Sequence, residues 1–169
     1  MDKSFFKRKG IDVAPELLGK YLIRKLPNGK IIRSIITEVE VYDGEEDLAS
    51  HASKGKTSRN EVMYEEGGIW YVYLVYGMWC MLNIVTGEKD YPSAILIRST
   101  KDIEGPGRLT RDLKIDKTFN RKKVGKNSNL WIEDGERVKY TRTPRIGVDY
   151  SGKWALKKNR FVIKNPPDK

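Results

Sequence analysis

The sequence predicts an α+β fold, in which a single domain is built on a curved, mainly antiparallel β-sheet with short peripheral helices and a protruding β-hairpin. Several segments of strand length alternate apolar with other residues. Turn signals join neighbouring segments at hairpin spacing, and the segments with helical periodicity are short. A chain of 169 residues is also a suitable length for one continuous core.

The first elements are expected to be a helix and a hairpin, within one domain that spans residues 1–169. Residues 1–12 are polar and are expected to form a flexible lead, and Val13–Lys20 has the length of two helical turns. Tyr21–Leu26 then predicts a strand. Pro27-Asn28-Gly29 follows it directly and is a strong hairpin signal.

The return strand, from Ile31 to Tyr42, is the most informative segment. Successive side chains of a strand point to opposite faces. One face carries Ile32, Ser34, Ile36, Glu38, Glu40 and Tyr42, and the other carries Ile31, Arg33, Ile35, Thr37, Val39 and Val41. Two apolar faces predict burial of the first half. Towards the end the first face becomes polar, so its last three residues are expected to line a cavity or an exposed edge.

A long ordered loop and a short helix are expected next. Residues 43–57 lack periodicity and contain the only histidine, His51. Ser58 and Glu61 match a capping box, which predicts a helix from there to about Glu65. By itself, a lone loop histidine is more typical of a surface or hydrogen-bonded residue than of a functional one.

An aromatic hairpin follows, with strands at Ile69–Val75 and Trp79–Val85. The ten residues from Trp70 to Trp79 include three tyrosines and two tryptophans. Large aromatic side chains in strands usually fill the interior, and we expect this of Trp70 and Tyr71. Tyr76 lies beside a glycine at the predicted turn, where it is poorly placed for a core and well placed to insert between base pairs.

The last third is expected to alternate loops with short elements. Ser93–Ser99 predicts a strand that carries Arg98, and Gly105-Pro106-Gly107 opens a basic helix to about Leu113. The glycines at this helix start could bind an anion or serve only as turn residues. Short strands are predicted around Trp131 and within residues 146–163.

Composition limits the classes of function. The 33 Lys and Arg against 23 Asp and Glu give a formal charge of +10, which favours a polyanionic partner such as nucleic acid, although basic composition can also serve solubility. One Cys and one His exclude a zinc site of Cys and His ligands, and we expect no metal and no cofactor. No apolar run approaches about 18 residues and no signal peptide is evident. We therefore expect an intracellular protein with no membrane contact.

Glu40 is the sharpest candidate for chemistry. It stands two residues from Tyr42 on one strand face, so an acid or base and a phenol would share one site. A solvated glutamate on an edge strand is the ordinary alternative.

Together these segments resemble the alkyladenine DNA glycosylase family, also called 3-methyladenine DNA glycosylases. The resemblance runs in order through nearly the whole chain. It is carried by Leu17-Leu18-Gly19-Lys20, Thr37-Glu38-Val39-Glu40-Val41-Tyr42, Glu46-Asp47-Leu48-Ala49-Ser50-His51, Thr57-Ser58-Arg59-Asn60, Tyr71-Val72-Tyr73-Leu74-Val75-Tyr76-Gly77-Met78, Leu96-Ile97-Arg98, Gly105-Pro106-Gly107-Arg108-Leu109 and Arg145-Ile146-Gly147-Val148.

The resemblance implies a role for seven side chains. Glu40 matches the glutamate that activates water, and Arg98 matches an arginine that helps to position that water, with the main-chain carbonyl of Ile146 assisting. The residues that match the binding site of a flipped purine are Tyr42, His51, Tyr73 and Asn83, and the residue that matches the intercalating tyrosine is Tyr76.

The function implied is that of a monofunctional DNA glycosylase, acting as a monomer on double-stranded DNA that contains an alkylated or deaminated purine. Three alternatives remain open. A non-catalytic nucleic-acid-binding domain explains the charge and Tyr76 but not Glu40, because a carboxylate facing DNA weakens binding unless it does chemistry. A lysine-dependent lyase and an RNA-modifying enzyme are the others.

Overall fold

An eight-stranded sheet organises residues 1–164, the part of the chain that the computed structural model describes. The strands are β1 (Tyr21–Lys25), β2 (Ile31–Asp43), β3 (Trp70–Val75), β4 (Trp79–Val85), β5 (Ser93–Thr100), β6 (Leu130–Glu133), β7 (Tyr140–Thr143) and β8 (Arg160–Ile163). The main order is β3-β4-β5-β2-β1-β6, while β8 pairs with both β2 and β7. Every pairing is antiparallel.

Short helices accompany the sheet, which confirms the predicted α+β class. The α-helices are α1 (Gly10–Leu17) and α2 (Pro106–Asp112), and the 3₁₀ helices are Lys3–Lys7, His51–Lys54, Glu61–Tyr64, Lys117–Phe119, Lys126–Ser128 and Asp149–Leu156. Helix α1 packs on β2, and α2 packs on β4. No helix among residues 1–164 has both the length and the apolar character needed to span a bilayer.

The N-terminal segment corrects the prediction of a flexible lead over residues 1–12. Lys3–Lys7 is a 3₁₀ helix, and Phe6 within it is only 1% exposed and belongs to the main core. Helix α1 begins at Gly10 and ends at Leu17, three residues earlier at each end than the predicted Val13–Lys20. At the other end of the predicted domain, residues 165–169 lie outside the described part.

Strand β2 departs from its predicted pattern because its pairing with β5 shifts register between Ile36 and Val39. A β-bulge of this kind changes the phase of the alternation. Ile36 therefore joins Val39 and Val41 in the core, although simple alternation placed it on the face of Glu40. The prediction that the first half is buried holds only in part, because Ser34 and Ile36 are buried whereas Ile31 is 57% exposed.

Two further predictions need correction. The short helix begins at Glu61 and is a 3₁₀ helix preceded by Asn60, without a side-chain cap, so the capping box from Ser58 does not form. Residues 146–163 contain only one strand, β8, together with the 3₁₀ helix Asp149–Leu156, and the strand β7 was not predicted. The hairpins β1–β2 and β3–β4, the strand at Trp131 and the helix after Gly105 are confirmed.

Candidate active site

The carboxylate of Glu40 lies in the middle of the sheet, on β2 between β5 and β8. The side chain is fully buried. Its Oε1 accepts the backbone N–H of Ile146 at 2.8 Å, and its Oε2 accepts the hydroxyl of Tyr42 at 2.9 Å and Nη1 of Arg98 at 3.3 Å. An ionised carboxylate has about four lone-pair positions. Three are filled, so one position remains for a further donor such as water.

Arg98 is shared between two carboxylates. Its Nε donates to Glu38 Oε1 at 2.9 Å, while its Nη1 reaches Glu40. Glu38 also accepts the hydroxyl of Ser99 and a hydrogen bond from Arg160. Burial acts to raise the pKa of Glu38, but these hydrogen bonds and the charge of Arg98 outweigh it and lower the pKa overall. Arg98 is thereby held at a fixed place beside Glu40.

An aromatic slot opens next to this carboxylate. It is lined by Tyr42, Ala49, His51, Met63, Tyr71, Tyr73, Asn83 and Ala94. The depression is open to solvent and has about 250 Å³ of empty space between these side chains. The four residues predicted to bind a purine all belong to its lining.

His51 is placed by the loop after β2 and held by two tyrosines. Ser50 caps the 3₁₀ helix that begins at His51, accepting a hydrogen bond from the N–H of Ala52. The Nδ1 of His51 lies 2.9 Å from the hydroxyl of Tyr71, and the imidazole and Tyr73 rings meet edge to face with centroids 4.4 Å apart. Tyr71 was expected only as a core residue, and its contact with His51 went unpredicted.

Desolvation lowers the pKa of His51 below 6.5, and the positive charge of Arg59 lowers it further. The imidazole is therefore neutral at pH 7. Between its folded pKa and 6.5, the unfolded chain binds a proton that the folded one does not, so this group destabilises the fold as the pH falls below 6.5.

This shift can be measured directly because the chain has a single histidine. We expect the imidazole Cε1–H resonance to titrate with a midpoint below 6.5, and Arg59→Gln to raise that midpoint because it removes a nearby positive charge. Proton NMR between about pH 4 and 8 measures both. A midpoint in the wild type at or above that of a free histidine peptide would contradict the assigned environment.

The phenols of the slot stay protonated. Burial, followed by the charge of Glu40, raises the pKa of Tyr42 well above 10, and the same two causes, in the same order, raise the pKa of Tyr73. Glu40 is thus close enough to both rings to influence them. Asn83, opposite Tyr71 on β4, uses its amide N–H groups on the carbonyls of Tyr71 and Met81.

A buried ion pair lies against the ring of Tyr42. The guanidinium of Arg145 lies 4.7 Å from the centroid of the Tyr42 ring, and its Nη2 donates to Asp47 at 2.8 Å. Both charged side chains are 0% exposed. Neither residue had a predicted role beyond its place in the resemblance.

Tyr76 lies outside the slot, at the tip of the β3–β4 hairpin. Val75 pairs with Trp79, so residues 76–78 form the turn. The Tyr76 side chain is 90% exposed, and its φ of 50° is the left-handed conformation that non-glycine residues adopt in turns. Arg59 donates to the carbonyl of Leu74 and links the hairpin to the loop that carries His51.

A buried carboxylate beside an aromatic slot, with an exposed tyrosine on the adjoining hairpin, is an arrangement that suits an enzyme acting on a base extruded from DNA, the class to which DNA glycosylases belong. Comparisons with known proteins agree. The model of the family described as "Methylpurine-DNA glycosylase (MPG)" matches residues 4–105 and 100–167. This chain therefore belongs to the methylpurine-DNA glycosylase family, whose members are hydrolases of N-glycosyl bonds in DNA repair.

Curated relatives support the assignment over nearly the full chain. A protein of Methanocella arvoryzae is 42% identical over 99% of this chain and 94% of its own length. One of Borreliella burgdorferi is 39% identical over 98% and 96%, and one of Psychrobacter cryohalolentis is 39% identical over 91% and 88%. Each carries the name "Putative 3-methyladenine DNA glycosylase".

Proposed function

We propose that this DNA glycosylase is monofunctional: it extrudes an alkylated or deaminated purine from duplex DNA, binds it in the slot and hydrolyses its bond to deoxyribose. The bases proposed are 3-methyladenine, 7-methylguanine, hypoxanthine and ethenoadenine. The observation that carries the proposal is the buried carboxylate of Glu40, which accepts a hydrogen bond from the hydroxyl of Tyr42 at the wall of the slot. The names of the relatives are consistent with the first of these bases.

Extrusion is needed because C1′ of the sugar is shielded inside stacked DNA, and it costs a few kcal/mol, less for a damaged pair. Tyr76 is exposed and projects from the sheet. In the proposed complex its ring fills the gap that the base leaves and replaces part of the lost stacking. The excess of Lys and Arg over Asp and Glu favours contact with the phosphate backbone of the DNA.

Recognition follows from the walls of the slot. The rings of Tyr42, His51 and Tyr73 offer π faces, which attract electron-poor purines and cationic ones most strongly. A neutral His51 adds no repulsion toward a positively charged base. Asn83 is proposed to disfavour normal guanine.

In the chemical step, Glu40 accepts a proton from a water molecule held by the carboxylate and Arg98. The water oxygen bonds to C1′ while the C1′–N bond breaks, and the bond's electron pair leaves with the purine. A cationic base leaves as a neutral molecule, whereas hypoxanthine must take up a proton. The carboxylate also stabilises the positive charge that develops on the sugar.

Among the described residues, none of those lining the slot is a lysine, which supports hydrolysis by water over a lysine-dependent lyase reaction. We propose further that the protein acts as a monomer, inside the cell, on DNA rather than RNA.

A panel of duplexes, each with one damaged purine, tests this function. We expect free methylated base to be released from the 7-methylguanine and 3-methyladenine duplexes, with an intact abasic strand left behind. Chromatography of the free base and denaturing gels of the strand measure both. The undamaged duplex and a ribose analogue are the controls. Strand cleavage together with a borohydride-trapped adduct would show a lyase instead, and release from the ribose analogue alone would show an RNA enzyme.

A further inference from the structure

The ion pair of Asp47 and Arg145 is unusual because it is wholly buried and adjoins a wall of the slot. Both side chains are 0% exposed. Burying two charges is costly, and replacement by apolar residues is often neutral or stabilising. Because such a pair adds little to the stability of the fold, its position beside the slot suggests a role in what the slot binds. Tyr42 lines the slot and Arg145 does not, so in the proposed complex the guanidinium and the base lie on opposite faces of the Tyr42 ring.

We propose that Asp47 neutralises Arg145 behind Tyr42 and so allows the slot to accept a positively charged base. The pair would be a specificity-determining element that acts through Tyr42 and does not touch the base. This inference rests on the proposed function, because it takes Tyr42 to stack against the extruded purine.

The physical argument concerns the field across one aromatic ring. A cation is attracted to the face of a phenol by the ring's quadrupole. With Arg145 on one face at 4.7 Å and a cationic purine stacked on the other at a van der Waals distance of about 3.5 Å, the two positive charges are separated by roughly 8 Å. At the effective dielectric of a protein interior, an uncompensated charge at that distance weakens binding of the cation by about tenfold or more. The carboxylate of Asp47, which accepts hydrogen bonds from both Nη atoms of Arg145, opposes this field.

Hydrogen bonds to the backbone hold both members of the ion pair in place. Arg145 Nη1 also donates to the carbonyl of Val41 at 2.8 Å, directly before Tyr42. Asp47 Oδ1 accepts the backbone N–H of Ala49 at 3.1 Å, and Ala49 lines the slot. The pair therefore supports Tyr42 mechanically as well, and the test must separate support from charge.

Two lesions that differ in charge but hardly in shape make that separation. One duplex carries 7-methylguanine, whose nucleoside is cationic, and the other carries 7-methyl-7-deazaguanine, which is neutral. A 2′-fluoroarabinose sugar at the lesion in both duplexes slows hydrolysis, so affinity can be measured. The readout is the ratio of the two affinities, cationic over neutral.

Single substitutions should move this ratio in opposite directions. Asp47→Asn removes the carboxylate that is hydrogen-bonded to Arg145 and should lower the ratio by about tenfold. Arg145→Gln leaves the carboxylate uncompensated and should raise it. The double variant Asp47→Asn/Arg145→Gln removes both charges and should restore the ratio to within about twofold of the wild type, while Glu40 and Arg98 remain unchanged.

Loss of mechanical support alone would weaken both duplexes equally, so an unchanged ratio in the single variants would overturn the inference, as would shifts in the same direction. Thermal melting of each variant verifies that it is folded. If Asp47→Asn does not fold, the rise expected for Arg145→Gln, together with the restored ratio of the double variant, decides the matter. A wild type that binds neither lesion better than undamaged DNA would refute the proposed function instead.

Discussion

Replacement of Glu40 by glutamine is expected to slow base release by about 10² to 10⁴-fold, the usual contribution of a positioned general base. Glutamine has nearly the same shape and its amide oxygen can still accept the N–H of Ile146, which donates to Glu40 at 2.8 Å. It cannot take a proton from water. Binding of a neutral lesion should persist, because Glu40 is not part of the slot lining and the loss of its charge does not act on an uncharged base.

Single-turnover release of 7-methylguanine and a binding titration with the 2′-fluoroarabinose duplex that carries the neutral 7-methyl-7-deazaguanine measure the two effects separately. Glu136→Gln is a matched control, since Glu136 is exposed and has no role in the proposed reaction. Release by Glu40→Gln at the wild-type rate would remove Glu40 as the base. A parallel loss of binding and melting temperature would show that the amide group disturbs Arg98 and the fold around it.

What the sequence could predict of this site was mainly local. Glu40 and Tyr42 share a face because they are two residues apart in one strand, and the structure joins them by a hydrogen bond of 2.9 Å. Tyr76 was assigned to a turn from its glycine neighbour and lies in that turn. Both inferences need only strand geometry or turn chemistry.

The support behind these residues could not be predicted, because it joins distant parts of the chain. Arg145 lies 98 positions from Asp47, and Arg160 lies 122 positions from Glu38. No periodicity brings such pairs together, since their contact depends on how β8 and the preceding loop return to β2. The bulge in β2 could not be predicted for the same reason, because it depends on how β2 pairs with β5, a strand that lies far away in the sequence.

The capping box at Ser58 failed for a related reason. The side chain of Asn60 donates to the carbonyls of His51 and Gly55 and accepts the N–H of Thr57. It therefore ties the loop that carries His51 to the next segment, and the helix begins only at Glu61. The capping box, which is a local motif, therefore does not form, because Asn60 instead makes the longer-range contacts that position His51 in the slot.

Replacement of Tyr76 by alanine is expected to slow release from duplex DNA by about 5- to 150-fold while leaving release from a single strand nearly unchanged. Stacking of a base on an aromatic side chain contributes about 1–3 kcal/mol, which corresponds to that range. A single strand has no gap to fill and no stacked neighbours to hold apart. The same lesion in both forms of DNA, followed under single-turnover conditions, measures the difference.

The choice of variants isolates the ring. Tyr76→Phe should retain most of the duplex rate, because stacking does not require the hydroxyl, and alanine and phenylalanine meet the same backbone strain at a φ of 50°. Tyr140→Ala removes another exposed tyrosine, on β7, and should leave both rates unchanged. Equal slowing of duplex and single-strand release by Tyr76→Ala would mean that this side chain acts on the bound base or the chemical step. With enzyme in saturating excess, binding is complete for both substrates, so slowing of the duplex alone would locate the effect of this side chain in extrusion.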